Sequence, residues 1–275
     1  KKLILDSKKI SRHLEEKKKL VFLLGQNNLE TIAGYISFID KGYAVALLDF
    51  RLNQLFFKKL VNLYKPDYIY CEEKCKKNLN LYKPILNYKK YVLLKRKGNK
   101  QNLLHKDLML LMSTSGTTGS PKFVRLSYSN VVSNTEKIIN YLRIKHKDIT
   151  ITSLPISYVY GLSVINSHLL SGATIALTNK SMIEKKFWKI IKECKITNFS
   201  GVPYNYLIIE KIIKQSFPKS IKYTTQAGGK MDHRLIKNII KIYKKRKIKL
   251  IQMYGAAEAT ARMSYLKWNY AEKKI

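Results

Sequence analysis

Four short segments of this sequence carry residue types and spacings suited to chemistry. The first is Ser113-Thr114-Ser115-Gly116-Thr117-Thr118-Gly119-Ser120-Pro121-Lys122. After Ser113 it presents five hydroxyl side chains before Pro121. Gly116 and Gly119 let the backbone bend tightly and expose its N–H groups. Hydroxyls and amides together can wrap phosphate oxygens, and Lys122 adds a cation. The spacing is not that of a Walker A loop, because the glycines are three apart and no Gly-Lys-Ser/Thr follows. A Ser/Thr/Gly loop is often only a connection, but this one is long, patterned and closed by Pro-Lys. The other segments are Leu154-Pro155-Ile156-Ser157-Tyr158-Val159-Tyr160-Gly161-Leu162, Gln226-Ala227-Gly228-Gly229-Lys230 and Met253-Tyr254-Gly255-Ala256-Ala257-Glu258. Glu258 follows a tight Tyr-Gly turn, where a carboxylate can hold Mg²⁺, a hard cation, against a triphosphate. Taken alone, a Glu in a turn is more often a surface residue. Gly228 and Gly229 let backbone pass close to a ligand, or simply form a helix-entry turn. Arg262, close after Glu258, is a lesser candidate to face phosphate or ribose.

These segments need elements that deliver them to a common edge. In open α/β sheets ligands gather at the carboxyl ends of strands. The apolar run 19–24 stops at Gly25 and predicts a strand. Residues 29–39 have helical spacing with Gly42 as C-cap. A strand over 43–48 follows, then a helix over 54–64 capped by Asn53. Pro66-Asp67 breaks the chain before a strand at 68–71. This β-α-β-α order predicts a mainly parallel sheet covered by helices. The polar stretch 95–101 marks a lobe boundary, giving a first α/β lobe over 1–100. A second lobe over 101–275 carries all four segments, the nucleotide-binding motifs of the resemblance described below. In it the pattern predicts strands at 107–112, 149–154, 173–177, 197–199, 221–225 and 249–253. Helices are predicted from Ser129 or Asn130 to about 143, and over 161–170, 184–194 and 204–214. A last helix, capped by Asp232, runs to about 245.

The four segments, in this order, resemble the adenylate-forming superfamily of acyl-CoA synthetases, aryl-acid ligases, peptide-synthetase adenylation domains and luciferases. The resemblance covers nearly the whole chain. It implies an α/β fold of two mainly parallel β-sheet lobes covered by helices, as in the N-terminal domain of those enzymes. It also implies ATP-dependent activation of a carboxylic acid as an acyl-adenylate with release of pyrophosphate. Transfer to a thiol follows, either coenzyme A or the phosphopantetheine of an acyl carrier protein. ATP contacts are implied for Thr114, Ser115, Gly116, Thr117, Thr118, Gly119, Lys122, Gly228, Gly229, Lys230, Tyr254, Gly255 and Ala256. Tyr254 would stack on adenine, and Mg²⁺ would sit on Glu258. Lys122 and Glu258 are the expected catalytic residues, and Tyr158 and Gly161 line the expected acid pocket. Three departures stand out. Tyr158 stands where many relatives have His, and Ala257 where many have Thr. The family's ribose-binding Asp, hinge and small C-terminal domain with its catalytic Lys are not in the sequence. The expectation is therefore a partial chain, completed by a C-terminal domain in cis or in trans.

Composition bounds the alternatives. The chain has 275 residues, with 53 Lys and Arg against 18 Asp and Glu, a formal charge of +35. Such a field attracts polyanions. Lys nevertheless outweighs Arg and recurs through every predicted helix and loop, alongside abundant Asn, Ile and Tyr. That is a compositional bias rather than a dedicated nucleic-acid stripe. Cys71 and Cys75 lack the second ligand pair of a zinc site and read as ordinary thiols. No uninterrupted apolar run is long enough to span a bilayer, and residues 1–7 are not a signal peptide. The reading is cytoplasmic. Two rival classes remain. A non-catalytic nucleotide-binding remnant would bind ATP without acid-dependent exchange. A basic nucleic-acid-binding protein would need a contiguous Lys/Arg face with aromatic stacking.

Overall fold

Leu20–Gly25 is a strand buried along its whole length, and Ala44–Asp49 beside it is buried at all but its last residue. Strands covered on both faces need no polar alternation, so continuous apolar runs become central strands. A computed structural model describes residues 2–75, 79–98, 103–113, 122–213, 217–268 and 270. In chain order the elements begin α1 (Lys2–Ser11), β1 (Leu20–Gly25), α2 (Leu29–Asp40), β2 (Ala44–Asp49), α3 (Gln54–Tyr64) and β3 (Tyr68–Glu72). Then come β4 (Tyr82–Tyr88), β5 (Tyr91–Arg96), β6 (Leu108–Met112), β7 (Val124–Ser127), α4 (Tyr128–Leu142) and β8 (Ile149–Ile151). The chain continues through α5 (Val159–Leu170), β9 (Thr174–Ala176), α6 (Lys185–Glu193), β10 (Asn198–Gly201) and α7 (Pro203–Ile213). It closes with β11 (Tyr223–Gln226), α8 (His233–Lys245), β12 (Lys249–Tyr254) and β13 (Ser264–Leu266). Two compact units result, Lys1–Val131 and Val132–Ile275.

The first unit holds a seven-stranded sheet in the order β4-β5-β3-β1-β2-β6-β7. Its centre, β3-β1-β2-β6, is parallel. The pairs at both flanks are antiparallel and extend the expected parallel centre into a mixed sheet. One face packs Phe22, Phe57, Leu60, Ile69 and Leu111 into a core. On α2, Asn28 caps the first turn by accepting from Thr31 N at 2.9 Å. Asn53 caps α3 as read from the sequence, accepting from Leu55 N and Phe56 N. Each such cap contributes about 1 kcal/mol.

The boundary expected over 95–101 falls inside this unit. Lys95 and Arg96 belong to β5, and β6 pairs parallel with β2. The pairing of β6 with a distant strand, invisible in local composition, carries the unit past that polar stretch to Val131. The β4–β5 hairpin was also not expected. Pro84 and the exposed Lys83 and Asn87 fit an edge strand, where a missing N–H is tolerated. Helix α4 starts earlier than Ser129 or Asn130 because Ser127 and Asn130 cap it reciprocally. Asn130 N donates to Ser127 Oγ at 3.1 Å, and Ser127 N to Asn130 Oδ1 at 3.2 Å.

The second unit is a six-stranded sheet ordered β13-β12-β11-β10-β8-β9. All its pairs are parallel except β12 with β13. Helix α8 buries Leu235, Ile236, Ile239, Ile240 and Tyr243 on one face and leaves Lys237, Lys241, Lys244 and Lys245 in solvent. The apolar residues recur at helical spacing, and Asp232 caps the helix by accepting from Arg234 N and Leu235 N. Much of the positive charge is thus the solvent side of ordinary amphipathic helices. Because five strands run the same way, the loops after β8, β10, β11 and β12 share the carboxyl edge.

Candidate functional site

In the first unit, residues 113–123 join β6 to its antiparallel partner β7, with Met112 opposite Val124 as the last pair. The connection therefore lies at the carboxyl end of β6. Walker loops lead into a helix N-terminus, which adds its dipole to phosphate binding. Here the element that follows is the strand β7, and Lys122 before it is exposed. Thr114, Ser115, Gly116, Thr117, Thr118 and Gly119 lie outside the described residues.

In the second unit the remaining motif residues gather at the carboxyl edge. The loop after β11 turns at Gly228, whose φ of +81° is left-handed and suits glycine. Gln226 holds the turn, its Nε2 donating to Gly229 O at 2.8 Å. Tyr158, at the N-cap of α5, lies over this turn. Its hydroxyl oxygen would be 2.6 Å from a Cβ on Gly228, and Val202 closes the other side at 3.2 Å. Tyr158 and the Gly-Gly turn, read as separate motifs, are thus one packed surface. Burial raises the Tyr158 phenol above its ordinary value. Gly161, in the first turn of α5, presses on the loop before it. A Cβ there would meet Pro155 O at 2.1 Å. Gly161 thus permits a close backbone approach.

Beyond β12, Tyr254 is 67% exposed, an unusual state for a tyrosine in a chain that buries many. An aromatic face left open at the ligand edge suits stacking on a flat ring. Glu258 lies in the 3₁₀ turn Ala257–Ala259, exposed and without an ion pair among the described residues. A free carboxylate there fits Mg²⁺, which takes one or two carboxylates and fills its remaining positions with water and phosphate oxygens. Gly255 permits the loop's shape, because a Cβ there would sit 1.6 Å from Ala261 O. Ala256 is half-buried, and Lys230 is exposed beside the Gly-Gly turn. Arg262, considered as a phosphate or ribose contact, is only 7% exposed and turned inward.

Sequence reading missed the polar ladder beneath this edge. Tyr160 Oη lies 2.7 Å from Thr225 Oγ1, which is 2.8 Å from Ser200 Oγ. Burial pushes the Tyr160 phenol up to about 12, while the Arg262 charge and the Thr225 hydrogen bond pull the other way. The signal in the sequence was faint: Ser200 in β10 and Thr224-Thr225 in β11, each inside a four-residue strand.

A separate concavity of the second unit, about 700 Å³, lies elsewhere. It opens at the amino ends of β11 and β12, beside Lys222, Tyr223 and Lys249. Arg143, Lys145, Lys147, Lys247 and Lys267 also line it, and Tyr141 stacks on Tyr265 at 4.2 Å between centroids. The positive charge is therefore locally more concentrated than the even scatter read from the sequence. The motif residues, at the opposite ends of the strands, do not line this groove.

Comparison with known proteins shows the family and the fold. The family of AMP-binding enzymes matches residues 3–274, and the chain belongs to that family. A 2-succinylbenzoate–CoA ligase of Listeria innocua is 28% identical over 165 residues, 60% of this chain and 34% of that protein. A D-alanine–D-alanyl carrier protein ligase of Staphylococcus aureus is 24% identical over 188 residues, 66% of this chain and 38% of that protein. The matched stretch is thus little more than a third of either relative's length. Among solved structures, a long-chain-fatty-acid–CoA ligase of Archaeoglobus fulgidus superposes with a TM-score of 0.80 at 13% identity, covering 99% of this chain and 60% of that one. The fold is that of the N-terminal part of adenylate-forming enzymes.

Proposed function

We propose that this chain grips ATP for the activation of a carboxylic acid as an acyl-adenylate. The carboxylate oxygen attacks the α-phosphorus, the bond from α-phosphorus to the bridging oxygen breaks, and pyrophosphate leaves with its electron pair. A thiolate, from coenzyme A or a carrier protein's phosphopantetheine, then attacks the acyl carbon and AMP leaves. Cytoplasmic placement fits these substrates. Among the described residues no helix is long and apolar enough to cross a membrane.

The observation that carries the reading is the carboxyl edge of the second sheet. Exposed Tyr254, unpaired Glu258 and the Gly228 turn under Tyr158 all lie along it. In this reading Tyr254 stacks on adenine and the Gly228-Gly229-Lys230 backbone passes beside it. Residues 114–119 and Lys122 hold phosphate oxygens. Glu258 would hold Mg²⁺, which neutralises charge on the departing pyrophosphate. Tyr158, in the place of the family's usual His, bounds the acid. Its neutral phenol neither gains nor loses charge near pH 7, so a pH-gated opening at this position is not expected. The work is positioning and charge neutralisation, without a protein nucleophile.

The test is ATP–pyrophosphate exchange by the gene product across a panel of fatty, aryl, amino and hydroxy acids. Exchange dependent on one acid class, reduced on the order of a hundredfold in both Glu258→Ala and Lys122→Ala, supports the reading. MgATP binding without exchange for any acid would favour a non-catalytic nucleotide-binding protein.

A further inference from the structure

Arg262 poses a physical problem. Its guanidinium is buried, yet among the described residues no Asp or Glu forms an ion pair with it, and its Nε has no hydrogen-bond partner. Nη1 donates to Tyr141 Oη at 3.0 Å and approaches Met253 Sδ at 3.5 Å. The guanidinium carbon stands 4.9 Å from the Tyr160 ring centroid. Cation–π attraction and one neutral hydrogen bond recover only part of the desolvation cost of such a charge. For stability alone, an apolar side chain of the same volume would serve better.

Its position in the chain shows what the cost maintains. Arg262 directly follows Thr260 and Ala261, two non-glycine residues with φ of +60° and +91°. They close the loop that carries Glu258, with Ala261 N donating to Ala256 O at 3.1 Å. The backbone of Arg262 is held too, because Asn134 Nδ2 donates to its carbonyl at 2.9 Å. Its side chain meets α4 at Tyr141 and α5 at Tyr160, two residues beyond Tyr158. From Tyr160 the ladder runs to Thr225, which precedes Gln226 and its hold on Gly229. One buried cation thus sits where the acid-side helix, the Gly-Gly turn and the Glu258 loop meet.

We propose that Arg262 is a positioning residue, whose buried guanidinium fixes the strained 255–261 loop against Tyr141 and Tyr160 and so sets Glu258 and Tyr254 relative to the acid-side helix. The proposal rests on the reading of function given above. Arg262 touches neither substrate nor metal and acts through the residues it holds.

The test compares Arg262→Met and Arg262→Lys with the unaltered gene product in three measurements: thermal unfolding, exchange kinetics with varied ATP, and hydrogen–deuterium exchange of the backbone amides. For Arg262→Met the expected result is an unchanged or higher Tm. It comes with an ATP KM raised at least about tenfold and faster amide exchange across residues 255–263. Arg262→Lys keeps a cation near Tyr160 and should restore part of the KM. An unchanged KM and unchanged amide exchange in Arg262→Met would overturn the proposal. So would an activity loss that merely follows a lower Tm and faster exchange throughout the unit, since that is a structural role. If the unaltered protein shows no pyrophosphate exchange with any acid, the reading of function fails instead. The amide exchange of residues 255–263 alone then decides whether Arg262 holds the loop.

Discussion

Replacing Gly255 by alanine tests how tightly the Glu258 loop is built. A Cβ at this position would lie 1.6 Å from Ala261 O, 2.6 Å from Ala261 C and 2.9 Å from Arg262 Cα. All three are backbone atoms, so no side chain can swing aside. Ordinary contact begins near 3.4 Å, which requires an opening of about 1.8 Å, the difference of 3.4 and 1.6. Such a shift breaks Ala261 N to Ala256 O at 3.1 Å and Met263 N to Tyr254 O at 2.9 Å. Two hydrogen bonds are worth about 2 kcal/mol together, and residual overpacking adds about 1–2 kcal/mol. A net loss of about 3–4 kcal/mol is expected in denaturant unfolding. MgATP affinity measured by calorimetry should fall at least about tenfold, because Glu258 moves with the loop. Gly229→Ala is the control. Its nearest contact would be the Pro203 ring at 3.3 Å, so it should lose less than about 1 kcal/mol. A Gly255→Ala protein within about 0.5 kcal/mol of wild type, with unchanged affinity, would refute the reasoning.

Other outcomes follow from the same geometry. Gly161→Ala drives a Cβ onto Pro155 O and should cost about 1–3 kcal/mol in denaturant unfolding, with acid-dependent exchange impaired more than MgATP binding. Tyr158→Ala opens space above Gly228 and should shift the ranking of acids toward bulkier ones in the exchange assay. Asp232→Ala removes the acceptor for Arg234 N and Leu235 N and should cost about 1 kcal/mol in the same unfolding assay. His168 is buried, and burial lowers its imidazole to about 4 from 6.5. The folded state keeps it neutral, so its contribution is complete above about pH 6.5 and is lost as pH falls toward 4. The loss reaches about 3 kcal/mol at the acid end, and His168→Leu should flatten that part of the stability profile.

Local signals carried the parallel centres of both sheets. The apolar runs at β1 and β2 and the caps at Asn53 and Asp232 depend on near neighbours in sequence, and each stands where it was read. Non-local pairing was not legible. The polar stretch 95–101 looks like a linker, yet β6 beyond it pairs with β2, more than sixty residues earlier (Val45 opposite Leu110). Helix α1 lacks an acidic first turn and scatters lysines, so nothing local announces it. At the site, the resemblance pointed to Tyr254 and Glu258, and both are exposed beyond β12. Arg262 reads from its spacing only as a lesser candidate to face phosphate or ribose, and its burial comes from Tyr141 and Tyr160, more than a hundred residues upstream. Tyr158 over Gly228 likewise joins residues seventy apart, a contact that only the shared direction of β8 and β11 creates.

The central claim is that a carboxylate attacks the α-phosphorus of ATP, and isotope transfer tests it most directly. An acid active in the exchange assay would be labelled with heavy oxygen in its carboxyl group and turned over with ATP and a thiol acceptor. The account predicts one heavy oxygen in the phosphoryl group of the AMP released, and none in pyrophosphate. AMP without label, or heavy oxygen in inorganic phosphate alongside ADP, would contradict it.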